Sequence, residues 1–478
     1  MPSQRDRLDE LLTAEPALAD LGARFTDAGH EIALVGGPVR DALMGRVGQD
    51  WDLTTSARPE QIEALVSGWA DAVWDVGREF GTIALRRGGV QMEITTYRSD
   101  TYELTSRKPQ VQFGDSLEGD LSRRDFTVNA MAVRLPTGQT PWDFIDPYGG
   151  LADLGAGILR TPVAAGISFG DDPLRMARAA RFVAQLGFEP HSEVVEAITA
   201  MADRLDIVSA ERIRDELVKL LRAERPVPGL RLLVDTGLAT HILPELPALQ
   251  LESDEHHRHK DVYEHSLIVL EQAIELERTR DHDGSPDVVL RLAALLHDIG
   301  KPKTRRFQPG GSVTFHHHDV VGAKLARKRL RELRFSNDEI DDISTLVELH
   351  LRFHGYGDAQ WTDSAVRRYV RDAGDQLERL HILTRADCTT RNQRKAARLQ
   401  RTYDELEERI AVLSEQEELA SMRPDLDGNQ IMEILGVGPG REVGAAYKFL
   451  LELRMDRGPL GADTAAEALR EWWASRDA

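Results

Sequence analysis

Apolar residues recur at helical spacing over residues 1–30. Leu8, Leu11, Leu12, Leu18, Leu21 and Phe25 share a face, which predicts one or two amphipathic helices. The pattern then shortens. Between 31 and about 148, apolar runs bounded by Gly, Pro and Asp predict strands at Ile32–Val35, around Asp50–Thr55, and at Thr82–Leu85, Val90–Tyr97 and Asn129–Leu135, with a helix near Pro59–Trp69. From about 165 onward the spacing is helical again, with breaks at Gly436–Gly440 and Gly458–Gly461 and a boundary near Leu246–Glu255, where Pro244 and Pro247 precede a polar stretch. The predicted class is α+β: a small mixed sheet followed by an elongated all-helical body.

Composition adds limits. The 478 residues are 41% apolar and 29% charged, with no apolar run long enough to span a bilayer. The opening MPSQRDRLDELL lacks the apolar core of a secretory signal, and the single cysteine, Cys388, excludes an internal disulfide; a cytoplasmic location is expected. A net charge of −20 argues against a uniformly basic surface but leaves room for local basic faces at Arg123–Arg124, Lys324–Arg334, Arg367–Arg371 and Arg391–Arg401. Twelve of the fifteen histidines lie between His256 and His381, which marks a unit with its own chemistry.

The most specific chemistry lies in LVGGPVRDALMGRVGQDWDLTT, residues 34–55. Gly36 and Gly37 after an apolar strand allow close approach of an anion to the backbone, and Arg40 follows on a helix. Asp50 and Asp52, two apart on a second strand, share a face and suit hard divalent cations. Glu93, on VQMEITTYR, is either a third carboxylate facing them or a strand-edge surface charge. A Gly-Gly turn or alternating Asp alone is commonplace; GG-x-x-R-D with D-x-D nine residues later is not.

These residues resemble the nucleotidyltransferase head of the polymerase-beta superfamily, and more narrowly the class II CCA-adding tRNA nucleotidyltransferases. Ser122-Arg-Arg-Asp-Phe-Thr-Val-Asn-Ala-Met131 is similar to the family's RRDFTxNAM. By that resemblance Arg124 holds the triphosphate and Asp125 accepts from the ribose 2′-hydroxyl. Asp146–Asp153 resembles the linker that follows, and Asp171-Asp172-Pro-Leu-Arg175 resembles E-D-x-x-R, with Arg178 and Arg181 at further three-residue steps. The family's first Glu is Asp171 here. On a helix, Asp172 and Arg175 at i,i+3 would share a face. A carboxylate accepts from the exocyclic amine of cytosine or adenine while a guanidinium donates to the ring nitrogen; uracil and guanine invert that pattern. The competing reading is an i,i+3 surface ion pair. Glu211–Lys219 resembles the family helix that follows. Poly(A) polymerases share this head, but Gly77-Arg-Glu-Phe-Gly-Thr-Ile83 looks more like the CCA-adding version.

Downstream, His265, His297-Asp298 and Asp387 resemble the H…HD…D ligand set of HD-superfamily phosphohydrolases, with His318 and His350 at positions that hold a second metal in some relatives. The resemblance divides the chain into a nucleotidyltransferase head (1–164), a helical base-recognition and RNA-binding neck (165–250), an HD domain (251–403) and a helical tail (404–478). It implies template-independent CCA addition to tRNA from CTP and ATP. The implied ions are Mg²⁺ in the head and Mn²⁺, Co²⁺ or Ni²⁺ at the HD site, and no membrane partner is implied. Poly(A) addition, or an HD hydrolase or RNA-binding protein whose head serves only recognition, stay open as alternatives.

Overall fold

The computed structural model describes residues 3–46, 48, 51–78, 81–98, 113–114, 116–137, 141–250, 261–280, 284–309, 313–356, 361–389, 392–417 and 423–476. The chain forms two compact units, Met1–Pro244 and Glu245–Ala478.

The first unit is built on a seven-stranded sheet: β1 (Ile32–Val35), β2 (Trp51–Thr55), β3 (Ala72–Gly77), β4 (Thr82–Arg87), β5 (Val90–Thr96), β6 (Ala132–Arg134) and β7 (Asp143–Ile145), in the spatial order β3-β4-β5-β2-β1-β6-β7. All neighbours are antiparallel except β2 and β5. β1 is an interior strand and wholly buried, as its unbroken IALV run requires. Alternation sorts the two faces. Ile32, Leu34, Leu53, Met92 and Ile94 join Leu8, Leu11, Leu18, Leu21 and Phe25 of the two N-terminal helices in the larger core. Ala33, Val35 and Ala132 face a smaller cluster with Tyr97, Leu117 and Leu121. Asp52 and Glu93 have the parity of that second face, and the β2–β5 register sets them side by side.

Two strands of this sheet, β3 and β7, escape sequence reading, and the strand expected over Asn129–Leu135 shrinks to β6. Residues Thr127–Asn129 instead make a 3₁₀ turn, held by the Asn129 side chain on Asp125. Beyond Ala165 the unit is helical apart from Glu189–Pro190, which pairs in parallel with Ile158–Leu159, and the Leu174–Leu186 helix packs against Ala210–Leu221 and Val227–Asp235.

The second unit is helical apart from a hairpin of Arg306–Phe307 and Val313–Thr314. Its middle is the Val288–Leu296 helix, buried from Leu290 to Leu296 and apolar apart from Arg291, which donates to Glu277 at 2.9 Å. Asp287 caps it, accepting from the Leu290 amide at 3.1 Å. Past its end, Pro302 sits in the first turn of a short helix, Lys301–Thr304. Gly300 is obligatory because a Cβ there would lie 2.0 Å from the His318 carbonyl oxygen. That close approach docks the His318–Glu332 helix beside His297-Asp298. No described helix is long and apolar enough to cross a membrane.

Candidate active site and metal centre

In the first unit the end of β1 carries the turn at Gly36, whose φ of 75° and ψ of −132° favour glycine. Two guanidiniums converge on it. Arg124 Nη1 would be 3.0 Å from a Cβ at Gly36, and Arg40 Nη2 would be 3.7 Å from one at Gly37. Arg40 is aimed by two acceptors, Asn129 Oδ1 at 2.6 Å and Asp41 Oδ1 at 2.8 Å. Arg124 approaches Asp120 at 3.3 Å, and the same Asp120 oxygen accepts from Thr54 of β2. The β1–β2 register pairs Leu34 with Leu53, so the next step brings Val35 and the Gly36 turn to the Asp52 end of β2. Two cations, a glycine turn and the exposed Asp52 and Glu93 therefore share one end of the sheet. Asp50 lies outside the described residues, as do Glu79 and Arg391.

Asp125 is buried and fully engaged. Its Oδ1 accepts from the Phe126 amide and the Asn129 side chain, both at 2.9 Å, and its Oδ2 accepts from Arg178 Nε at 2.8 Å and Nη2 at 2.5 Å. Burial opposes its charge, yet the Arg178 guanidinium and these hydrogen bonds hold its carboxyl far below the usual range. Arg178 also approaches Glu216 at 3.7 Å, and Glu216 binds Arg181 at 2.6 Å. Glu216, Asp120 and Asn129 had not been assigned a place at the site. Asp120 and Asn129 precede and follow Arg124 and Asp125 by four residues, a spacing at which side chains meet within one turn.

One expectation is corrected. Asp172 and Arg175 do not share a helical face, because Asp172 lies outside the helix, which runs Leu174–Leu186. A residue before proline is excluded from helical geometry, and Asp172 takes φ −140°, ψ 100° ahead of Pro173. Nor do the two form an ion pair. Asp172 accepts from the Leu174 amide at 3.1 Å and from Arg212 Nη2 at 3.0 Å. Arg175, buried, donates to Ser168 Oγ at 2.8 Å and to the Arg123 carbonyl at 2.5 Å.

In the second unit six side chains meet. The ligand atoms of His265, His297 and Asp387 lie within 4.8 Å of one another, as do those of Asp298, His318 and His350. Asp298 lies between the two groups. Its Oδ2 is 3.2 Å from His297 and 3.7 Å from His265; its Oδ1 is 3.2 Å from His318 and 3.9 Å from His350. His297, His350 and Asp387 each terminate a helix, and His318 begins one. The Nδ1 atoms of His297, His318 and His350 face the carbonyls of Ala294, Phe315 and Val347 at 2.7–2.8 Å. A carbonyl only accepts, so these Nδ1 atoms carry a proton and each Nε2 faces inward, with a free lone pair where the ring is neutral. For His318 and His350 that buried Nε2 makes no hydrogen bond.

Burial alone would lower the His297 pKa, but Asp298 and Asp387 raise it to about 10. Burial and the charge at His297 push His350 down to about 3. The buried Asp298 and part-buried Asp387, which demand positive charge, beside the unbonded Nε2 atoms of His318 and His350, fit divalent metal ions. Lys301, which sequence reading passed over, donates to Asp298 Oδ2 at 2.7 Å. Its position three residues after Asp298 was the available signal.

Residues 32–160 match the family described as the poly A polymerase head domain, 187–249 the probable RNA and SrmB-binding site of polymerase A, and 262–392 the HD domain. The chain is 35% identical over 452 residues to the A-adding tRNA nucleotidyltransferase of Deinococcus radiodurans, covering 92% of this chain and 95% of that one. It is 41% identical over 215 residues to the CCA-adding enzyme of Geobacillus thermodenitrificans, covering 45% of this chain and 51% of that one. Among solved structures, the Bacillus stearothermophilus CCA-adding enzyme in complex with CTP matches with a TM-score of 0.64 at 24% identity over 98% of each chain. The Thermotoga maritima CCA-adding enzyme complexed with tRNA_CCA gives 0.61 at 18% identity over 97% of this chain and 98% of that one. At these identities the two structures establish a common fold.

Proposed function

The chain belongs to the tRNA nucleotidyltransferases built on a poly(A)-polymerase-type head, and from that premise we propose that it adds CCA to tRNA 3′ ends from CTP and ATP without a nucleic-acid template. The observation that carries this reading is the convergence of Arg40 and Arg124 on the Gly36 turn, at the sheet end that also bears Asp52 and Glu93. Arg40, Arg124 and the Gly36–Gly37 backbone bind and orient the triphosphate. Asp50, Asp52 and Glu93 are the carboxylates for Mg²⁺, which supplies charge compensation at the phosphate oxygens. The terminal hydroxyl of the RNA attacks the α-phosphorus in line and pyrophosphate departs. Asp172 and Arg175 read the base edge, exchanging their Arg212, Ser168 and Arg123 partners for the incoming nucleotide. Arg178 and Arg181, anchored on Asp125 and Glu216, keep that helix in place, and Asp125 borders the ribose.

A second reading has an observation of its own: the relative matched over 95% of its length carries the name A-adding enzyme. Incubating the protein with tRNA lacking CCA, and with tRNA ending in CC, plus CTP and ATP singly and together, separates the two. Extension by C, C and A supports CCA addition. Extension of the CC-ended tRNA alone supports A addition, and unlimited extension would make it a poly(A) polymerase.

For the second unit the proposal is a phosphohydrolase acting on 2′,3′-cyclic phosphates or 2′-nucleotides with Mn²⁺, Co²⁺ or Ni²⁺, ions that suit mixed imidazole and carboxylate ligands. His265, His297, Asp298 and Asp387 would hold one ion, with His318 and His350 holding a second. The metal supplies Lewis-acid activation of water and phosphate; Lys301 offers a fixed cation beside Asp298. Replacing His297 and Asp298 together by Ala should abolish hydrolysis and leave CCA addition within a few-fold, in the cytoplasm where we place the enzyme.

A further inference from the structure

The basic runs of this acidic chain are partly neutralised within the fold; in Lys324–Arg334 the exposed Lys324 and Arg331 make no ion pair among the described residues, but other members are paired. Arg327 pairs with Asp341 and Glu348, Arg329 with Glu245 and Glu332, Arg368 with Asp456, and Arg371 with Asp372. Next to the six-residue cluster, Arg394 and Arg398 lie one helical turn apart on Gln393–Glu417, both exposed, and make no ion pair among the described residues. A further run, Lys301-Pro-Lys-Thr-Arg-Arg-Phe307, holds four cations and no acid. Within it Lys303 and Arg306 are exposed and likewise make no ion pair among the described residues. Phe307 is 69% exposed, and the Arg305 guanidinium lies 4.6 Å from the centre of its ring.

Both runs spring from the metal cluster. The hairpin leaves it through Lys301, which binds Asp298, and returns to it at His318, with Arg306 paired to Thr314 on the way back. The Gln393–Glu417 helix begins six residues after Asp387. It is fastened to the helix that presents Asp387 by Tyr403, which donates to the Thr384 carbonyl at 2.7 Å, and by Arg385, which donates to Gln400 at 2.8 Å. Lys301 to Phe307 spans on the order of 15 Å of chain, a length that two nucleotides bridge.

Unneutralised cations attract a polyanion, and an arginine-backed aromatic ring offers a face to a planar base. An acidic peptide would satisfy the cations but leave Phe307 without a partner. Resting on the phosphohydrolase reading, we propose that the metal cluster acts on the phosphate-bearing 3′ end of single-stranded RNA. Lys303, Arg306, Arg394 and Arg398 hold the strand, and a base near its end stacks on Phe307. The preferred substrate is then a strand and not a free mononucleotide. For a 2′,3′-cyclic end, a water oxygen bonds to phosphorus, the bond from phosphorus to one ribose oxygen breaks, and that oxygen takes a proton from the water.

The test uses the full chain with Mn²⁺. It compares kcat/KM for adenosine 2′,3′-cyclic phosphate with that for a short unpaired oligoribonucleotide carrying the same terminus. The strand should be favoured by about ten-fold or more, through KM, and the advantage should fall steeply with added salt. In R306A/F307A and in R394A/R398A the ratio should collapse toward one. A 4-thiouridine oligoribonucleotide should photocross-link to the peptide bearing Phe307, with or without metal. A ratio near one in the wild type, or unmoved in both variants, overturns the strand proposal while leaving the hydrolase reading intact. Hydrolysis of neither substrate with any of the three ions overturns the hydrolase reading. In that event a cross-link confined to Met1–Pro244 overturns the strand site as well.

Discussion

Asp125 concentrates the head's electrostatics in one carboxylate. Its folded pKa lies below its unfolded value, so its stabilisation is complete above about pH 4 and is lost as pH falls toward the folded pKa. The stability gap between wild type and Asp125→Asn, measured by urea unfolding, should therefore be flat from neutrality to about pH 5 and narrow below about pH 4. Arg178→Ala strands this buried charge and should cost on the order of 3 kcal/mol at neutral pH. Asp172→Ala and Arg175→Ala should both lose discrimination against UTP and GTP, read from incorporation of all four nucleotides. A surface pair predicts unchanged nucleotide choice, and the 3.0 Å contact of Asp172 with Arg212 already removes the i,i+3 ion pair as its explanation. The motifs were legible residue by residue because the chemistry fixes their types and spacing. What Asp172 and Arg175 hold in the absence of nucleotide was not, since Arg212, Ser168 and Arg123 are brought up only by the fold.

Helix ends build the metal cluster. A helix leaves its last carbonyls without backbone partners, and His297 and His350, each just past such an end, use Nδ1 to satisfy one and so aim Nε2. The His318–Glu332 helix joins this arrangement only because Gly300 lets its first turn close in. Gly300→Ala should cost on the order of 2–3 kcal/mol, read from urea unfolding, and lower metal content, whereas Gly155→Ala, with nothing within 4 Å of its Cβ, should be nearly silent. His318→Ala with His350→Ala should remove one bound ion per chain and retain the ion on His265, His297 and Asp387, measured by metal analysis of the purified protein. Sequence reading recovered long, periodic elements and the interior β1. It missed β3, whose Asp75 interrupts the apolar run, and β7, only three residues long, because neither has a pattern that rises above a loop. It ran a helix through Asp172 although Pro173 announced the break.

Over the whole molecule the proposed chemistries fall in separate units, and their responses to metal should separate as well. Saturating Mn²⁺ at about a hundred times its dissociation constant should stabilise Glu245–Ala478 by about 2.7 kcal/mol and leave hydrogen exchange in the β1–β7 sheet unchanged. The H297A/D298A variant should show no such shift. The cluster's donors are scattered along the chain: His265 and Asp387, 2.9 Å apart, are separated by 122 positions. Closing so long a loop is entropically slow, so the cluster is completed late in folding and the ion cannot act as a nucleus. A bound ion would act instead as a clasp fastened after assembly. Metal should lengthen the lifetime of the folded second unit by slowing its unfolding, while its refolding rate stays the same with or without the ion.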